Sequence, residues 1–367
     1  MIRAHLRKIN KPGMKTIKSP DGDIIDCVLS HQQLAFDHPE LKGQKPLDPP
    51  ERPRGYNSSN ETNEVFQPWS MSGESCPEGT VPVRRVTEED ILEFHNISTF
   101  GRKTIESSIT NDSPSNGHEY AIEYVSENAF YGGKANINVW APRVELQTEF
   151  SLSQIWIVAG TDGVDLNTIE AGWQVHPQLY KGDRQPRLFT YWTKDGYKGT
   201  GCYNLICPGF VQISKKIAVG SAITPVSSYG GHQFQITLLI WKDPKNGNWW
   251  LQYGGELVGY WPSVLFTHLK DHATMVQFGG EIVNSRGLDG SHTSTQMGSG
   301  HFAEEGDGKA SFFRNLQVVD EGNSLVPPQN IKLSAQHPNC YDIKQGFSQN
   351  YGNYFNYGGP GKNPNCP

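Results

Sequence analysis

The sequence predicts a mainly β protein, an antiparallel β-sandwich preceded by a small mixed α+β unit. Three observations carry this. The 39 glycines and 24 prolines are too many for a helical bundle. Aromatic residues at 11% and apolar residues at 36% supply too much buriable surface for a disordered chain. From His118 onward, apolar and polar residues alternate in about eleven short runs divided by turn residues, with no helical period.

The two units differ in composition. Residues 1–114 hold 14 Lys/Arg and 17 Asp/Glu but only six of the 40 aromatics, so the main core belongs to the second unit. A formal net charge of -6 removes the basic footprint of a nucleic-acid binder. The longest apolar runs, such as Ile236 to Trp241, fall far short of the ~20 residues a membrane span needs. Neither nucleic acid nor membrane is an expected partner.

In chain order, residues 1–106 form the front unit. Lys42 to Arg54 is Pro-rich and reads as a spacer, because proline fits neither helix interior nor central strand. A helix is predicted from Thr87, whose hydroxyl has Asp90 three residues on, with Ile91, Leu92 and Phe94 turned inward. It is expected to be the only well-formed helix. Residues 107–117, Ser-Ser-Ile-Thr-Asn-Asp-Ser-Pro-Ser-Asn-Gly, are small and polar and read as a flexible linker. Residues 118–367 carry the strands: His118 to Val125, Ala135 to Trp140, Leu152 to Val158, Ile169 to Tyr180, Leu188 to Trp192, Phe210 to Lys215, Gln233 to Trp241, Trp249 to Tyr253, Glu256 to Trp261, Met275 to Val283 and Ala310 to Val318. Asn246-Gly247 and Asp195-Gly196 read as hairpin turns.

Six cysteines leave an even number in each unit, two in front and four behind. Spacing favours Cys27–Cys76 in front, a short local Cys202–Cys207 bridge, and Cys340–Cys366 tying down the Gly/Asn/Tyr-rich tail. With one close pair only, the thiols do not make a zinc site, and no metal or other cofactor is expected. Four glycosylation sequons, at Asn57, Asn60, Asn96 and Asn111, all lie in front of the linker. Disulfides and sequons together favour a secreted, extracellular protein. The opening Met-Ile-Arg-Ala-His-Leu is not an apolar leader, so this reading implies a signal removed or replaced.

Two segments carry candidate chemistry. In Ile169-Glu-Ala-Gly-Trp-Gln-Val, a period of two puts Glu170, Gly172 and Gln174 on one face. In Val276-Gln-Phe-Gly-Gly-Glu-Ile, Gln277, Gly279 and Glu281 share a face in reversed order. If the two strands are antiparallel neighbours, Glu170 meets Glu281, Gln174 meets Gln277, and the glycines leave a hollow for a substrate backbone. Two close carboxyls cannot both ionise; one stays an acid while the other is a base toward water, which suits peptide hydrolysis in acid. The competing reading is a solvated polar sheet face. Trp173, Tyr191, Trp192, Trp249 and Trp250 either line a groove or fill the core. A serine triad lacks its Gly-x-Ser-x-Gly elbow, His292 and His301 read as loop hydrogen-bonders, and no phosphate loop occurs.

The stretches Glu170-Ala-Gly-Trp-Gln-Val-His-Pro-Gln-Leu-Tyr180, Tyr191-Trp-Thr, Thr200-Gly-Cys-Tyr-Asn-Leu-Ile-Cys-Pro-Gly-Phe-Val-Gln212, Phe278-Gly-Gly-Glu281 and Ser291-His-Thr-Ser-Thr-Gln-Met-Gly-Ser-Gly-His-Phe302 resemble the neprosin family of plant glutamic peptidases. The front, from His5-Leu-Arg-Lys-Ile-Asn-Lys-Pro through Cys76-Pro-Glu-Gly-Thr-Val-Pro-Val-Arg-Arg, resembles that family's activation peptide. The resemblance implies a secreted, acid-activated prolyl endopeptidase zymogen whose β-sandwich uses Glu170 and Glu281 on its concave face. Glu256, in Tyr253-Gly-Gly-Glu, competes with Glu281 for the second role. Gln174 and Gln277 are expected to position water or stabilise the oxyanion, with Trp173 and Tyr191 beside the substrate. Expected partners are a proline-rich peptide substrate and the protein's own front unit as inhibitor, in a monomer, with Pro114-Ser115 a candidate activation site. The alternative is a non-catalytic lectin-like, cell-wall or defence sandwich.

Overall fold

The computed structural model describes residues 1–57, 65–94, 97–103, 117–286 and 291–367. The candidate sites Asn60, Asn96, Asn111 and Pro114-Ser115 lie outside the described residues; Asn57 is exposed.

The front unit opens with α1 (Ile2–Ile9), which its sequence, basic and mixed, did not announce. Strands β1 (Gly13–Lys18), β2 (Ile24–Leu29) and β3 (Thr80–Arg84) then form a three-stranded antiparallel meander. Helix α2 (Glu88–Glu93) begins as predicted: Asp90 N donates to Thr87 Oγ1, and Thr87 N donates back to the Asp90 carboxylate. Ile91 and Phe94 are buried, whereas Leu92 faces solvent.

The strands that follow are β4 (His118–Phe130), β5 (Gly132–Asn138), β6 (Ser151–Ala159), β7 (Asn167–Val175), β8 (Arg187–Thr193), β9 (Val211–Gln212), β10 (Gln235–Lys242), β11 (Trp249–Tyr253), β12 (Glu256–Trp261) and β13 (Ala273–Val283). Then come β14 (Met297–Gly298), β15 (Ser311–Val319), β16 (Leu325–Val326), β17 (Lys332–Ala335), β18 (Asp342–Ser348) and β19 (Gly352–Gly359). They make a six-stranded sheet, β17-β4-β13-β6-β7-β8, and a ten-stranded sheet, β14-β19-β15-β5-β10-β11-β12-β9, with β16 beside β15 and β18 beside β19. Every pairing is antiparallel, and all eleven predicted strands are present. Asn246-Gly247 turns the β10–β11 hairpin. Asp195-Gly196 does not turn a hairpin; Gly196 N instead bonds Leu166 O in a long connection after β8.

The two sheets bury one core, in which Ile155, Ile169, Trp173 and Val276 of the first meet Ile137, Leu238, Trp249 and Phe313 of the second. The front unit covers the other face of the six-stranded sheet, packing Ile9, Ile91, Phe94 and Phe100 on Leu152, Trp156, Phe189 and Tyr191. This is why β6 and β7 are buried on both faces although their sequence alternates. Nor is the Pro-rich segment a free spacer. It crosses the outer face of the ten-stranded sheet, where Trp241 Nε1 donates to Glu51 O at 3.1 Å and Arg52 Nε to Gln252 Oε1 at 2.7 Å. Disulfides join Cys27 to Cys76, Cys202 to Cys207 and Cys340 to Cys366, which accounts for all six cysteines. No described helix is long and apolar enough to cross a membrane.

Glu123 of β4 is 1% exposed, on the core side between Ala121 and Val125, and its carboxyl oxygens have no hydrogen-bond partner among the described residues. Burial pushes its pKa up from 4.5 to about 8. The raised value means that the neutral form stabilises the fold, fully below 4.5, with the contribution lost as pH rises through about 8. Urea unfolding is expected to show stability falling across that window. Glu123→Gln should remove that fall, on the order of 5 kcal/mol across the window; parallel profiles for the two proteins would contradict this assignment.

Candidate active site

Pairing of β6 with both β7 and β13 fixes where the two glutamates stand. Gln154 of β6 lies opposite Gly172 on one side and Gly279 on the other. Trp156 is flanked by Glu170 and Gln277, and Leu152 by Gln174 and Glu281. The strands of Glu170 and Glu281 are therefore not neighbours, as their mirrored patterns predict, but are separated by β6 and run parallel to each other. The carboxylates stand diagonally across Gln154.

They converge all the same. Gln154 Nε2 is 3.1 Å from Glu170 Oε2 and 3.4 Å from Glu281 Oε2. Lys103, at the end of the described front segment, places its Nζ 2.6 Å from Glu170 Oε2 and 3.3 Å from Glu281 Oε2. Glu170 Oε1 accepts from Thr168 Oγ1 at 2.9 Å and Tyr197 OH at 2.8 Å. Glu281 Oε1 is 2.5 Å from His118 Nδ1. All four of Lys103, Gln154, Glu170 and Glu281 are buried, so the reading as a solvated sheet face does not hold in this form of the chain.

Electrostatics follow from that burial. Desolvation opposes charge on Glu281, but Lys103 and His118 outweigh it and hold the carboxyl below its ordinary range. Desolvation likewise opposes charge on Lys103, yet Glu170 and Glu281 hold it above the usual lysine range. Burial, aided by Lys103, pushes His176 down to about 3, so this neighbour is neutral.

The remaining predicted residues are divided. Tyr191 belongs to the site, its OH accepting from Lys103 N at 3.2 Å. Gln174 donates instead to Tyr180 OH at 3.0 Å, and Gln277 to Met275 Sδ at 2.9 Å; neither amide reaches a carboxylate. Trp173 points into the inter-sheet core and donates to Asn138 O. Trp192 and Trp249 are also core, and Trp250 lies on the far sheet's outer face. Glu256 is on the ten-stranded sheet, paired with exposed Lys216, and its Gly254-Gly255 turns the β11–β12 hairpin. A Cβ at Gly172 would strike the β6 backbone, and one at Gly279, where φ is +149°, the β4 backbone, so these glycines let strands close together. Among the described residues two His/Cys/acid clusters have metal-like spacing, but both need Cys340, whose sulfur is spent in a disulfide. Gln154, Lys103, Thr168, Tyr197 and His118 were missed. Only Gln154 left a signal, as the one large polar side chain in Leu152-Ser-Gln-Ile-Trp-Ile-Val.

The family model described as Neprosin matches residues 147–360, which include Gln154, Glu170 and Glu281. The chain belongs to the neprosin family. The model described as Neprosin activation peptide matches residues 16–124, so this family member is a peptidase zymogen carrying its inhibitory segment in the same polypeptide. Among solved structures, scytalido-glutamic peptidase with a peptide-based transition state analog is 12% identical, covers 66% of this chain and 97% of its own, and has a TM-score of 0.33. SCP-B, a member of the eqolisin family in complex with the tripeptide Ala-Ile-His, is 12% identical over 66% of this chain and 96% of its own, with a TM-score of 0.31. Superposition at this level is partial, and the site of this neprosin-family chain stands on its own geometry.

Removing Lys103 leaves two buried carboxylates facing each other, and breaking a buried ion pair costs about 3–5 kcal/mol. The depressed pKa of Glu281 means that its stabilising contact is present above 4.5 and lost as pH falls through the folded value. Lys103→Met is therefore expected to lower the unfolding midpoint of the full chain near neutral pH, with a smaller deficit in acid. A deficit that does not change with pH would reduce Lys103 to a packing residue.

Proposed function

We propose that this chain is the precursor of a secreted, acid-active glutamic endopeptidase that cuts on the carboxyl side of proline. One observation carries the reading: a single cation, Lys103 Nζ, and a single amide, Gln154 Nε2, each lie within reach of one oxygen of both glutamates. The position that Lys103 fills is where water and a scissile carbonyl would sit once the front unit leaves. Glu170, supported by three hydroxyl and amide donors, acts as the base; it takes a proton from water as the water oxygen bonds to the carbonyl carbon. Gln154 donates to the oxyanion. Glu281, which gains a proton in acid once Lys103 has left, gives that proton to the leaving amide nitrogen as the C–N bond breaks. The aromatic wall of Trp156, Tyr191 and Tyr197 suits a proline ring, and family membership supports that preference. Six paired cysteines support an oxidising route, and Asn57, Asn60, Asn96 and Asn111 are its glycosylation candidates. We propose activation by cleavage within residues 107–117, Pro114-Ser115 included.

Full-length protein brought to about pH 3–4 should then cut a proline-containing peptide. Glu170→Gln and Glu281→Gln should each lose about 100- to 10,000-fold of the rate, and Gln154→Leu about 100-fold in kcat. Wild type and Glu170→Gln cutting equally well would sink the proposal.

Acid also acts on the contact between the two units. Asp23 of the front lies 2.6 Å from Arg187 of β8 and 2.9 Å from Arg84, with Asp90 and Asp183 on the outer sides of the two arginines. Burial opposes charge on Asp23, but Arg187 and Arg84 win and lower its pKa. Its contribution is therefore complete above 3.8 and is lost as pH falls through the folded value. Asp23→Asn, which removes the charge at every pH, should shift the midpoint of activation upward. An unchanged midpoint would show that this contact does not time release.

A further inference from the structure

The outer face of the ten-stranded sheet carries a second organised surface, on the side of the molecule away from the glutamates. Trp241, Trp250 and Tyr260 stand in register on three adjacent strands. Their rings form a continuous ladder, with centroid separations of 6.5 Å for Trp241–Trp250 and 4.5 Å for Trp250–Tyr260. All three are buried, because Phe36, Leu41 and the Pro-rich segment lie over them.

The bonding between ladder and segment is that of peptide recognition. Trp241 Nε1 donates to Glu51 O, and Tyr260 OH accepts from Leu47 N at 3.3 Å. Gln252 Oε1 accepts from Arg52, while its Nε2 donates to Tyr56 OH. Trp250 Nε1, on the same ladder, is buried with no partner among the described residues, a donor left over for another carbonyl. The segment's prolines at 46, 49, 50 and 53 hold it extended and remove backbone donors, so an indole N–H donating to a carbonyl, as Trp241 does to Glu51, suits it. Rigid Pro-rich chains on aromatic rows are a recurring mode of recognition because little ordering entropy is lost.

We propose that this ladder is a binding site for extended proline-rich peptide, occupied in the precursor by residues 44–56 and open to substrate once the front unit departs. The proposal rests on the activation reading above, and it adds a way for the enzyme to hold a proline-rich protein away from the cut. No disulfide ties the front unit to the sandwich, since Cys27 bonds Cys76 and the other two bridges lie behind residue 200. One cleavage in the linker therefore frees the occupant. Packed sheets are about 10 Å apart, so a chain reaching from ladder to dyad around the edge needs on the order of 15 residues or more.

The test uses the full chain after acid activation, separated from its front unit in acid and brought to neutral pH for the binding measurement so that the acid enzyme does not cut the proline-containing probe, and a fluorescent peptide of sequence Gln44 to Tyr56. Fluorescence polarisation is expected to show binding that weakens about tenfold with alanine in place of the four prolines, and about tenfold in the Trp241→Phe/Gln252→Ala protein. The same double substitution should raise KM about tenfold for a proline-rich substrate of about 30 residues and leave KM for one of about eight residues unchanged. Should the double variant not fold, competition on wild type decides: the unlabelled peptide must inhibit cleavage of the long substrate more than the short. A chain that binds the peptide but cuts nothing keeps the ladder site and refutes the peptidase. A chain that cuts the short substrate without binding the peptide, or that is inhibited equally on both, overturns the site. So does displacement by a neutral β-linked oligosaccharide with no effect of the prolines, which would assign the ladder to sugar.

Discussion

Two carboxylates held on one sheet face, out of water and joined through one amide, form a charge that the fold cannot leave unanswered. An isolated buried carboxylate is driven to protonate, and two at short range more so. In this chain the answer is the ammonium of Lys103, itself buried and unable to keep its charge without them. The cation and the pair are mutually dependent. The cation belongs to the front unit and the pair to the sandwich, so neutralising the site and blocking it are one contact. Occupation of this kind is stable near neutral pH and weakens as protons replace the cation.

The same logic recurs a short distance away. Asp90, Arg84, Asp23, Arg187 and Asp183 form an alternating row of charges through the boundary between the units. Each arginine is held by two carboxylates, and Asp23 by two arginines, so protonation of Asp23 leaves each arginine with one carboxylate and removes the charge that bridges the units. Glu123 works in the opposite sense, since its buried carboxyl, without a hydrogen-bond partner among the described residues, favours the protonated sandwich. Acid therefore loosens the attachment of the front while it favours the body beneath. Those opposed signs are what a protein needs if it is to shed a segment in acid without unfolding.

Most of the architecture was legible because alternation with period two is a local property. It marked the eleven principal strands and the faces carrying Glu170 and Glu281, while the equally local Thr87-x-x-Asp90 spacing marked the capping box. Strands β18 and β19 escaped because Gly, Asn and Gln dilute their pattern, although Phe355 and Tyr357 reach the core. Helix α1 escaped because a short, basic segment buries only Ile9 fully. What local pattern does not hold is which strand lies beside which. Two mirrored segments invited direct pairing, but β6 lies between them, and an all-buried strand gives no hint of its neighbours. Hence the glutamates were found while Gln154, Lys103 and the roles of Gln174 and Gln277 were not.

The Pro-rich segment shows a further limit, and a consequence. Proline content correctly excluded helix and central strand, yet absence of regular structure is not absence of contact. A chain without secondary structure must still place its backbone groups, and here it places Glu51 O on an indole and Leu47 N on a phenol of the outer sheet, with the Arg52 side chain on an amide. One continuous front segment thus covers both outward faces of the sandwich: Lys103 with its neighbours on the glutamates, and residues 44–56 on the aromatic ladder. Each cover resembles what its surface is built to receive, a peptide entering a cleft in one case and a proline-rich strand on aromatic rings in the other. Because the disulfides keep the units separable, a single cut uncovers both surfaces together, and neither is open while the glutamates are still paired with Lys103.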